Sequence, residues 1–314
     1  MSEHFSDELK SPSKTEVKPR AKLSSRPLGA TLGMEVEGLD LSHRLSGSNL
    51  DLMQKYLSEY RVLCFSAQEI SQKELLDFGR CFGASQVNPI FEGTTEFPDV
   101  IRIEKKQGDR DIFSGRARLL GSYLDNPPKL ALLYNPPSSA SFDMIFASLT
   151  RAWLELSEQM QEILIGLTVT RCPASEFGPE AVEPRRFTGQ AASPLIYSDA
   201  LFQSVQHPMV QILPESGEKS LYVDEAFSYK IEGLHHEEGK AILGFLARHC
   251  MKPQNGCRIT VRPGTLLMWD ARTVSFIAPP VRTRDTRLCY MVALRSEERL
   301  RGATDPIEDQ EFTS

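Results

Sequence analysis

Apolar residues recur along this chain in two rhythms, and the change from one to the other divides it. Residues 50–60 place them at three- and four-residue steps, the spacing of a helix that buries one face. A short apolar run over 61–66 follows and reads as a strand. Ser71-Gln72-Lys73-Glu74 then has the form of a capping box and predicts a helix that ends near Phe82-Gly83. Ahead of these, the alternation of apolar and acidic residues in Met34-Glu35-Val36-Glu37 predicts a strand closed by Gly38. Residues 142–167 carry apolar side chains at helical steps over several turns and predict the clearest helix of the chain, with Ser157 and Glu158 as a point of division.

From His207 onward the rhythm shortens. Runs at 209–213, 220–223, 258–261, 266–269, 274–278 and 288–294 read as strands. Pro214-Glu215-Ser216-Gly217 and Arg262-Pro263-Gly264 have turn composition, and 237–248 reads as an amphipathic helix. Residues 1–22 mix Ser, Lys, Glu and Pro without apolar periodicity and read as a disordered tail; 297–314 read as a charged tail that frays. Between them, residues 23–296 are expected to form one mainly β domain of mixed α+β character with flanking helices. The full length of 314 residues is within reach of an undivided barrel or sandwich.

Composition narrows the partners. With 40% hydrophobic and 25% charged residues the chain has the balance of a soluble globular protein. A net charge of −6, with no basic block beyond short clusters such as Lys105-Lys106, argues against nucleic acid. No apolar stretch approaches the roughly 20 residues that span a bilayer, so no membrane is expected. The six cysteines are scattered without a Cys-x-x-Cys pair, which suits reduced thiols in the cytoplasm.

An ordered set of short segments carries more than any of them alone. It comprises Gly38-Leu39-Asp40-Leu41, Val62-Leu63-Cys64-Phe65, Phe82-Gly83 and Ser122-Tyr123-Leu124-Asp125-Asn126-Pro127-Pro128. His207-Pro208-Met209-Val210, Pro214-Glu215-Ser216-Gly217, Arg262-Pro263-Gly264 and Met268-Trp269-Asp270-Ala271-Arg272 complete it. In this order the set resembles the TauD/TfdA-like family, the taurine dioxygenase type of Fe(II)/2-oxoglutarate oxygenases, over residues 27–295. The resemblance implies a double-stranded β-helix, a jelly-roll or cupin-like barrel with a pocket at one mouth. Family chemistry needs a His-x-Asp pair and a distant His, which leave positions on iron for 2-oxoglutarate and oxygen. By the same resemblance Arg118 stands at the first His and Leu120 at the Asp, while Phe276, seven residues beyond Trp269, stands at the distant His. A guanidinium has no lone pair to give, and Leu and Phe have no donor atom. Met144, beside Asp143, falls on the family's Thr for 2-oxoglutarate. Arg287 falls on its arginine for the far carboxylate, and Met291 on a second arginine.

None of the six histidines lies within residues 113–124 or 269–280, so a small shift in alignment does not restore a ligand. His235-His236-Glu237-Glu238 has metal-binding residue types, but adjacent side chains diverge and the segment reads as a solvated helix terminus. His207 reads as a packing residue, and Asp270 with Arg272 as a structural pair. Strand alternation would put Arg118 and Leu120 on one face; the alternative for Arg118 is a side chain reaching solvent at a rim. Two inward guanidiniums, Arg118 and Arg287, would need an anion: a ligand carboxylate, or Asp125 or Asp143 as an internal counterion.

These features lead to a metal-independent enzyme, with no cofactor expected, that isomerises, cyclises or rearranges a small acidic organic molecule. Arg118 and Tyr123 are its candidate catalytic residues, and Arg287, Met144, Phe276, Met291 and Leu120 its candidate substrate-binding residues. Two readings stay open beside it: a non-catalytic partner of an active homologue or a homo-oligomer, and an active Fe(II)/2-oxoglutarate dioxygenase with other ligands.

Overall fold

Period-two burial organises this chain more than helical periodicity does. The computed structural model describes residues 23–105, 115–179, 194–279 and 286–305; the tail expected over 1–22 lies outside the described residues. In chain order they form β1 (Ser24–Pro27), β2 (Met34–Glu37), α1 (Gly47–Tyr60), β3 (Val62–Phe65), α2 (Gln72–Arg80), β4 (Ser85–Gln86) and β5 (Ile101–Lys105). Next come β6 (Pro128–Asn135), β7 (Phe142–Ser148), α3 (Leu149–Leu154), α4 (Glu158–Leu164), β8 (Thr168–Arg171) and α5 (Ala174–Phe177). The last part holds β9 (Val205–Pro208), β10 (Val210–Ile212), β11 (Lys219–Leu221), β12 (Ser228–Ile231) and α6 (His236–Cys250). It closes with β13 (Gly256–Val261), β14 (Thr265–Asp270), β15 (Val274–Ile277), β16 (Arg287–Arg295) and β17 (Arg301–Gly302).

The largest sheet runs β1-β2-β3-β14-β6-β16-β4, with β5 also on β16; its pairs are antiparallel except β2 with β3. A second sheet, β13-β7-β15, supplies the other wall of the main core. Alternation along β14 shows how one sheet serves two cores. Leu267 and Trp269 join the inner core with Phe142, Met144, Phe146 and Phe276, whereas Leu266 and Met268 join Met53, Leu57, Leu75 and Phe78 of α1 and α2. A third cluster packs α3, α4 and α6 against β8 and β11. The result is mixed, mainly β, with flanking helices, as the apolar rhythm predicts. Among the described residues no helix is long and apolar enough to cross a membrane.

Two expectations change. The single helix expected over residues 142–167 is instead β7 followed by α3 and α4. Phe142, Met144 and Phe146 keep period two while Phe142, Ile145, Phe146 and Leu149 keep a helical count, and pairing with β13 and β15 on either side decides for the strand. Ser148 and Ser157 then cap the two helices, accepting from the backbone N–H of Arg151 and Met160. The segment beyond residue 296 is also not wholly a tail, because β17 pairs with β10.

The capping box at Ser71 forms as expected, with Ser71 and Glu74 bonded reciprocally. β6 escaped the sequence reading although it is central, pairing with both β14 and β16. Its residues are buried almost throughout, so no alternation marks it.

Candidate functional site

All seven candidate residues, Arg118, Leu120, Tyr123, Met144, Phe276, Arg287 and Met291, line one cavity between the two main walls. Met144 and Phe276 come from the smaller sheet, and Arg287 and Met291 from β16. The segment before β6 supplies the rest. It crosses to β15 through an isolated bridge in which the backbones of Arg118 and Phe276 exchange N–H···O bonds of 3.0 Å each way. Gly121, at φ +66°, then turns the chain; a Cβ there would meet Pro128 Cδ at 2.6 Å. The space open to the centre of a water-sized sphere is about 80 Å³, room for more than a single water.

Arg118 is buried and faces the cavity, which settles its direction against the rim alternative. Its described counterion is neither Asp125 nor Asp143 but Glu176 of α5, whose Oε1 accepts from Arg118 Nη2 at 2.9 Å. The other oxygen of Glu176 accepts from Arg116 Nη1 at 2.7 Å. Asp143 is occupied elsewhere, by Thr260 and Arg258. Arg287 lies with its guanidinium carbon 4.9 Å from the centre of the Phe142 ring. Asp285, a further counterion the spacing allows, lies outside the described residues.

Tyr123 is buried, and its hydroxyl accepts from Asn88 Nδ2 at 3.0 Å. Burial pushes its hydroxyl well above the ordinary tyrosine range, against a hydrogen bond from Asn88 and the charge of Arg118. Its ring meets Phe227 edge-on at 4.8 Å. Asn88, Glu176, Phe177 and Phe227 escaped the sequence reading. Each reaches the site from a loop or a very short element, where no periodicity points to it.

The other residues weighed from the sequence are structural in place. His207 Nε2 bonds the Leu124 carbonyl at 2.8 Å, and Asp270 holds Arg272 at 2.9 and 3.1 Å. His235 caps α6, with Glu238 in its capping box.

The positions that the resemblance assigns to iron therefore meet in space, but the side chains there do not fit it. Arg118 is committed to Glu176, Leu120 and Phe276 have no donor, and among the described residues no group of three or more His, Cys, Asp or Glu could hold a metal ion.

The chain matches the description "Taurine catabolism dioxygenase TauD, TfdA family" over residues 24–275 and belongs to that family. The alpha-ketoglutarate-dependent dioxygenase cnsP of Penicillium expansum is 27% identical over 263 residues, 79% of this chain and 68% of that one. The alpha-ketoglutarate-dependent sulfate ester dioxygenase of Pseudomonas putida is 22% identical over 283 residues, 88% and 90% of the two chains. A crystal structure of a taurine dioxygenase from Burkholderia xenovorans superposes with a TM-score of 0.72 at 24% identity, covering 91% of this chain and 94% of that one.

These relatives correct one expectation from the sequence. All three are named as dioxygenases, so a metal-independent isomerisation, cyclisation or rearrangement has no counterpart among them, and oxidation replaces it as the reaction to consider.

Proposed function

We propose that the cavity binds a small, mostly apolar organic molecule carrying an acidic group. The observation that supports this most is the lining. Phe142, Met144, Phe276 and Met291 make apolar walls, and the cationic side chains of Arg118 and Arg287 stand among them. An apolar cavity with a few convergent polar groups is the usual form of a small-molecule site. In this reading Arg287 takes the carboxylate, since a guanidinium offers paired donors to its two oxygens. Tyr123, held by Asn88, and Arg118, held by Glu176, orient the polar end, while Leu120 packs beside the ligand. The two main sheets are taken as the double-stranded β-helix of the family, and the six free cysteines fit a reducing cytoplasm.

Calorimetric titration with small aliphatic and aromatic carboxylates tests the reading. One saturable site is expected, and Arg287→Ala should weaken it at least about tenfold, the loss of a charge-assisted contact of roughly 1.5 to 3 kcal/mol. No saturable binding of any such acid, or equal affinity in the variant, would remove it.

The names of the relatives favour a second reading, 2-oxoglutarate-dependent oxidation of the bound molecule. Arg287 supports it, because it stands at the spacing of the family's anchor for 2-oxoglutarate; the donor set at Arg118, Leu120 and Phe276 opposes it. Succinate release from the full chain supplied with Fe(II), 2-oxoglutarate and a binding acid would establish it. Acid binding without succinate release would leave the first reading standing alone.

A further inference from the structure

We infer that the Arg116–Glu176–Arg118 ion cluster holds the barrel mouth together in the place of a divalent cation, so that the positive charge at this position belongs to the chain itself. This goes beyond the ligand reading and does not depend on which acid binds.

The geometry rests on three named side chains. Glu176 is fully buried and uses both carboxylate oxygens, one on each arginine, at 2.7 and 2.9 Å. Arg118 exchanges backbone hydrogen bonds with Phe276 in both directions, so its backbone is anchored to β15 while its guanidinium is anchored to α5. Arg116 adds bonds to the backbone carbonyls of Ser175 and Glu225.

The cluster therefore ties three separate parts of the chain at the mouth: the segment before β6, the short helix α5, and the stretch leading to β12. α5 has four residues, too few to stand as a helix without tertiary support. The residue after Glu176, Phe177, forms part of the cavity wall, so whatever holds Glu176 also sets that wall.

Charge explains why such a cluster excludes a metal ion. A buried carboxylate is stable only when its charge is matched, and here guanidiniums match it. A divalent cation entering beside Arg118 would meet like charge in a poorly screened setting, and would have to strip Glu176 from its partners to gain a ligand. In an iron site of this fold the protein supplies anionic and neutral donors around a mobile cation. Here the polarity is inverted: the cation is covalent and the carboxylate is the group it holds.

A double-mutant cycle and a metal titration test this on the full chain. Glu176→Leu should lower Tm by roughly 5 to 10 °C, because it leaves the buried Arg118 without its described counterion, and Arg118→Leu should lower it by less, because Glu176 keeps Arg116. The double variant should fall clearly less than the sum of the two. If a single variant fails to fold, the wild-type protein still decides: anaerobic titration with Co(II) or Fe(II) should leave Tm unchanged and produce no ligand-field band with Co(II). Additive losses in the cycle, or one-to-one binding of either metal with a rise in Tm, would overturn the inference. Failure of carboxylate binding in the wild type would instead sink the ligand reading and leave this outcome untouched.

Discussion

Two arginine–carboxylate clusters in this one fold are built from similar groups and differ in where their partners come from. At the mouth, Arg118 and Arg116 meet Glu176 across 58 and 60 residues of chain, and the carboxylate is wholly buried. At the end of β14, Arg272 meets Asp270 two residues away, then spreads to Glu215, which also takes Lys129 at 2.6 Å and is about half exposed. Arg61 joins Asp270 at 3.8 Å and Glu218 beyond it. The second cluster is a turn that keeps itself in shape and shares its outer charges with solvent. The first exists only once distant segments have docked, and its two buried charges, Arg118 and Glu176, are matched there while Arg116 reaches the surface.

The largest effect that would sharpen this contrast lies at the buried centre of the β14 cluster. Asp270→Ala leaves Arg272 buried with only the half-exposed Glu215, and should cost on the order of 3 to 5 kcal/mol in urea unfolding. A loss below about 1 kcal/mol would make this cluster a solvated surface feature and erase the distinction between its core and its rim.

Acid should next separate the β14 cluster from a buried histidine on β9. On β9, where the His207 ring bonds the Leu124 carbonyl, burial, helped by the charge of Arg171, holds the imidazole down to about 4 from 6.5. The unfolded chain then binds the extra proton between these values, so stability is fully present above pH 6.5 and is lost as pH falls toward 4. A shift of this size corresponds to on the order of 3 kcal/mol. At the β14 cluster, burial opposes ionisation of Glu215, but a hydrogen bond from Lys129 and the charge of Arg272 outweigh it and bring the carboxyl to about 2 from 4.5. Its contribution is present above pH 4.5 and is lost as pH falls toward 2. Unfolding free energy measured across pH 2 to 8 should show both windows, and His207→Gln should flatten only the upper one. A variant curve parallel to wild type between pH 6.5 and 4 would take His207 out of the account.

The smallest effect belongs to the exposed rim. Glu215→Gln at neutral pH should cost under about 1 kcal/mol, because a half-exposed ion pair exchanges its partners for water at little loss. A cost as large as that of Asp270→Ala would mean that exposure is not what separates these charges.

What was legible in the sequence follows the same division between near and far. The capping box at Ser71, the strand ended by Gly38, the helix before β13 and the Asp270–Arg272 pair were all readable, because each depends on residues within a few positions of one another. The ordered motifs also identified the family and the seven side chains that come to line one cavity. Local spacing could not separate a strand from a helix over residues 142–148, since Phe142, Met144 and Phe146 suit a strand while Phe142, Ile145 and Phe146 suit a helix; the neighbours β13 and β15 decided it by supplying partners for the backbone. Nor could it find Glu176. A carboxylate in a four-residue helix carries no periodic or capping signal, and its meaning arises only when folding buries it between Arg116 and Arg118, where an unmatched charge would be costly. The sequence by itself thus determined the family, the elements with a clear local rhythm and the chemical types at the mouth. Tertiary structure alone decided which charges are matched there, because burial and pairing depend on segments far apart in the chain.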